Sequence, residues 1–117
     1  MLLIDNLSIN ELNGLVFEIN GIKWDVEIID NNSPLLFRSD GSQTIGVTDC
    51  NTKTVYIAAA LRGKLLEKVL THEICHCAVY SYGIYLTLDQ EEKLCDFVAT
   101  YGKEIFTIVD KLIQALI

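Results

Sequence analysis

Ile22, Trp24, Val26 and Ile28 alternate with Lys23, Asp25 and Glu27, so the apolar four share one face of a strand. The run Leu15-Val16-Phe17-Glu18-Ile19 precedes it, and Asn20-Gly21 lies between the two. Asn-Gly between β-branched apolar runs predicts a hairpin. A second hairpin is expected from Thr44-Ile45-Gly46-Val47-Thr48 and Thr54-Val55-Tyr56-Ile57-Ala58, joined through Asp49 to Lys53. Asn31 to Gly41 contains Ser33-Pro34 and reads mostly as loop, and the first dozen residues are ambiguous between a short helix and coil.

From about Leu61 the period changes. Leu65, Leu66, Val69, Leu70, Glu73, His76, Cys77 and Tyr80 recur at helical spacing, with Gly83 as the expected stop. A last helical pattern begins near Leu88 and carries the stripe Ile105, Ile108, Val109, Leu112, Ile113 and Leu116. Gly102 is expected to break or kink it. Strands first and helices second predict a single α+β domain over residues 1–117, an antiparallel sheet packed on helices.

Composition narrows the class. Half of the 117 residues are apolar and 21% are charged, as in an ordinary globular chain. The net charge of −7 and scattered Lys and Arg argue against a nucleic-acid partner. No stretch is apolar enough for a membrane span and no secretory signal is visible, so a cytoplasmic location is expected. Cys50, Cys75, Cys77 and Cys95 match no paired C-x2-C zinc spacing and read as small buried residues.

The chemistry lies in His72-Glu73-Ile74-Cys75-His76, which holds both histidines of the chain. Residues four apart on a helix lie side by side, so both imidazoles can reach one zinc ion. Glu73 falls beside the metal and is expected to act as general base on its water. A catalytic zinc usually takes a third protein ligand, here a carboxylate or cysteine for want of a third histidine. The best region is Asp89-Gln90-Glu91-Glu92-Lys93-Leu94-Cys95-Asp96. Glu92 is assigned as ligand and Asp96 as hydrogen-bond partner of a ligating imidazole, with Glu91 or Asp96 as the other ligand candidates. Asp89 with Glu92, or Thr87 with Gln90, also fits a capping box; Thr87 as cap leaves Glu92 free. An oxyanion stabiliser is not identified: Tyr56, Tyr80, Tyr82, Tyr85 and Tyr101 are all candidates. The strand Thr54 to Ala58, as a sheet edge beside the cleft, would offer backbone groups to an extended peptide.

His72-Glu73-x-x-His76 followed by Glu92-x-x-x-Asp96 resembles the gluzincin pattern, whose third zinc ligand is a glutamate on a downstream helix. Glu92-Lys93-Leu94-Cys95-Asp96-Phe97-Val98-Ala99 resembles the ImmA/IrrE metallopeptidases in Glu92, Phe97 and Ala99, with Cys95-Asp96 where Ala-Asn is usual. The length resembles the minigluzincins, and the chain looks like small proteins of Gram-positive prophages. The resemblance implies a zinc-dependent endopeptidase acting on a peptide or protein substrate, with Glu73 as base. The alternative is a metal-binding regulatory protein on the same fold without relevant turnover. Oligomeric state is not legible.

Overall fold

The computed structural model describes residues 9–117. The part of the ambiguous N-terminal dozen before Ile9 lies outside them; Ile9–Leu12 forms a 3-10 turn with Ile9 buried.

Strand β1 (Val16–Ile19) pairs antiparallel with β2 (Ile22–Ile29), Ile19 opposite Ile22. Asn20 and Gly21 turn the chain at φ of 49° and 80°, the left-handed pair that a two-residue hairpin requires. Trp24 and Val26 are buried, and Lys23, Asp25 and Glu27 are exposed. Strand β3 (Gly46–Asp49) pairs antiparallel with β4 (Thr54–Ala58). Between the hairpins, Ser33 caps a 3-10 turn at Pro34–Leu36.

The sheet is not wholly antiparallel. β2 and β4 run parallel, Val26 beside Val55 and Ile28 beside Ile57, in the order β1-β2-β4-β3. Hairpin turns dictate only neighbouring strands, whereas the loop through Asn31 to Ile45 crosses one end of the sheet and leaves a strand position between β2 and β3, which β4 fills. β4, which could take up an extended peptide only as an edge strand, lies inside with both sides paired, and among the described residues β1 and β3 are the edges.

Helix α1 (Gly63–Ser81) lays Leu66, Val69 and Cys77 on the core with Trp24, Val55 and Ile57. At its end, Gly83 N–H bonds to Tyr80 O and Ile84 N–H to Val79 O, with Gly83 at φ 64°. This pattern satisfies terminal carbonyls and needs a left-handed residue. The Trp24 indole donates to Ser81 Oγ at 2.9 Å and meets Tyr80 edge-on at 5.8 Å, fixing the helix end on the sheet.

Helix α2 (Leu88–Gln114) starts with Thr87 and Gln90 in a reciprocal capping box. It returns antiparallel along α1: His76 lies beside Glu91, His72 beside Asp96, and Glu67 beside Lys103. Gly102 does not interrupt it. The glycine is buried within one continuous helix, and an added Cβ would meet only Val98 Cγ1, at 3.4 Å. Among the described residues, no helix is long and apolar enough to cross a membrane.

Candidate metal centre

Helical periodicity turns His72, Glu73 and His76 toward one side of α1, and α2 brings a carboxylate row across from them. The Nε2 atoms of His72 and His76 are 3.1 Å apart. Glu92 places Oε1 2.9 Å from His76 Nε2 and Oε2 3.4 Å from His72 Nε2. Ligands about 2.0–2.1 Å from a tetrahedral zinc would stand roughly 3.3 Å from one another. The Nε2–Nε2 spacing is near that edge length, each Glu92 oxygen is near it from a different imidazole, and one donor atom from each of the three residues lies within 4.8 Å of the others.

The far ring nitrogens are also engaged. His72 Nδ1 lies 2.9 Å from Asp96 Oδ1, and His76 Nδ1 lies 2.5 Å from Glu91 Oε2. A proton on each Nδ1, donated to its carboxylate, leaves both Nε2 lone pairs facing the same point. Two such lone pairs beside a carboxylate repel unless a cation or proton lies between them. Asp96 thus stands against His72, and Glu91 stands against His76 rather than on the shared point. The pairing of Glu91 with His76 is missing from the sequence reading. Its signal was present: Glu91 precedes Glu92 and lies on the flank nearer His76 once the helices run antiparallel.

Glu73 is buried. Its Oε1 accepts from Thr48 Oγ1 at 2.8 Å, and the Thr48 hydroxyl also lies 3.0 Å from the Glu73 carbonyl. Burial pushes the Glu73 carboxyl above its ordinary value; the Thr48 hydrogen bond and the two histidines oppose that. β3 comes this close only because residue 46 is glycine. A Cβ there would stand 2.8 Å from Val69 Cγ1 and 3.1 Å from Glu73 Oε2. Neither Thr48 nor Gly46 was singled out for the site from sequence, because neither belongs to a motif.

The cleft runs between β3 and the two helices, lined by Thr44 to Thr48, His72, Glu73, His76, Leu88, Glu92 and Asp96. Leu35, Phe37, Ile45 and Leu65 give it apolar walls, and Arg38 and Lys68 are its cations. None of the five candidate tyrosines lines it. Tyr80 is turned to Trp24, and Tyr85 is almost fully exposed. The cysteines are free. Burial pushes the Cys77 thiol up to about 12 and raises Cys50 and Cys95 as well, and none of the four cysteines joins the His72, His76 and Glu92 group.

A scan against protein-family models, a search of curated proteins and a search of solved structures each return no match.

Proposed function

We propose that the chain is a small zinc-dependent endopeptidase of the gluzincin kind, with His72, His76 and Glu92 as metal ligands. The observation that carries this reading is the convergence of two Nε2 atoms and the Glu92 carboxylate, one donor atom from each lying within 4.8 Å of the others. Asp96 and Glu91 orient the two imidazoles by holding the Nδ1 protons. A zinc ion there supplies Lewis acidity to water and to a peptide carbonyl.

Glu73 takes a proton from water and returns it to the leaving amine. Its carboxyl suits both transfers, since burial raises its affinity for a proton towards the working pH. The Thr48 hydrogen bond holds Oε1, so Oε2 is the oxygen that handles the proton. The outer edge of β3 borders the cleft, and an extended peptide can pair with its backbone groups. Such pairing needs an extended stretch of chain, so an exposed loop, tail or unfolded segment is the substrate that fits.

Glu73→Gln is expected to keep stoichiometric zinc by elemental analysis while peptide cleavage falls by about 10²–10⁴. Full turnover in that variant, with contaminating proteases excluded, would remove Glu73 as the base. Stoichiometric zinc in the natural chain without cleavage of any library peptide would favour the regulatory metal protein instead.

A further inference from the structure

Beyond Lys103, α2 outruns α1. Its apolar stripe begins on α1, with buried Cys95 and Gly102, and continues where no described residue covers it. Ile105, Ile108, Val109, Leu112, Ile113 and Leu116 are 43–83% exposed. With Phe106 they present on the order of 600 Å² of apolar surface. Each side of a stable interface buries roughly 600–1,000 Å², so one such stripe matches half of a small interface. We infer that this half of α2 is a self-association surface, packing antiparallel against the same helix of a second copy.

The charges and an adjoining groove set the register. Glu104 and Lys111 are seven residues apart and lie on one flank of the helix, about 20° apart around the axis. In an antiparallel two-fold pair, like flanks meet, so Glu104 of each copy faces Lys111 of the other. That register sets Ile113 and Leu116 of one copy against Gly102 and Ala99 of the other. Ala99 and the backbone at buried Gly102 form the floor of an open groove between α1 and α2, walled by Phe106, Lys64, Lys68 and the Glu67–Lys103 ion pair. The negative C-terminal end of the incoming helix thereby approaches two lysines. A parallel pair would leave the groove empty and would not bring Glu104 to Lys111.

Sedimentation equilibrium on the full chain is expected to give twice 13.1 kDa at micromolar concentration, with zinc or with chelator. Leu112→Glu should shift it to monomer with an unchanged helical circular dichroism spectrum, since that side chain is 64% exposed. A monomer at about 100 µM, or a dimer indifferent to Leu112→Glu, would overturn the assignment. Glu104→Lys should weaken association severalfold at low salt, and adding Lys111→Glu should restore it. Failure of the double exchange to restore it would overturn the antiparallel register.

Discussion

Glu73 combines a catalytic proposal with a folding cost. Its neighbours above and below in the cleft are Gly46 and Thr48 of β3, and the side chain is sealed between strand and helix. Burial raises the folded-state pKa, so the folded metal-free protein binds this proton more tightly than the unfolded chain does. The stability so contributed is fully present below the ordinary value of 4.5 and is lost as pH rises through the raised folded value. Denaturant melts with chelator present should therefore show the natural chain falling below Glu73→Gln as pH goes from 4 to 8, by roughly 1 kcal/mol at neutrality. Parallel curves would mean that the carboxyl titrates alike in both states. Asp96 and Glu91 carry a separate expectation. Each lies against one imidazole of the proposed zinc site, so Asp96→Asn and Glu91→Gln should each weaken zinc about 10–100-fold in competition titrations. The histidine motif was legible because both histidines of the chain sit in five residues. Glu92 and Asp96 followed from helical spacing, whereas Glu91's place against His76 depended on how far α2 slides along α1.

Among the elements, β3 lies close on α1 at Gly46. Gly46 lets the strand lie on Val69 and Glu73, and Gly46→Ala should cost about 1–3 kcal/mol in denaturant melts, as overpacking does. An unchanged midpoint would show that Val69 gives way freely. Both hairpins were readable, since Asn-Gly sets its own register and the second pair flanks a short turn. Both helices were readable from their apolar stripes, and the Thr87 box from local chemistry. The Gly102 break was not realised: a lone glycine lowers helix propensity by only roughly 1 kcal/mol, and the helix runs on through it. Which strand borders the cleft was not legible, because Thr54–Ala58 has a strand pattern that says nothing about its two neighbours.

For the whole molecule, the sheet, α1 and α2 are stacked so that the candidate centre joins the two helices. α2 is held chiefly by α1, through Glu92, Asp96 and Glu91 on one side and the Lys103–Glu67 ion pair at 3.0 Å. A metal bound only by the folded arrangement adds stability by mass action, about 4 kcal/mol at a thousandfold excess over its Kd. Thermal melts with zinc and with chelator should differ accordingly, and the difference should shrink in His76→Ala. Equal midpoints for the natural chain would sink a folded-state metal site.

The sequence by itself determined the α+β class, both hairpins, both helices, the His72–Glu73–His76 array and a carboxylate partner at Glu92. Each of these rests on interactions within a turn, a strand or a few helical residues, which local pattern encodes. Only the tertiary structure decided that β2 and β4 run parallel, that β3 borders the cleft, that Thr48 holds Glu73 and that no described residue covers the far end of α2. Those depend on segments many residues apart meeting at a particular register, and that register is set by the whole core rather than by either partner's sequence.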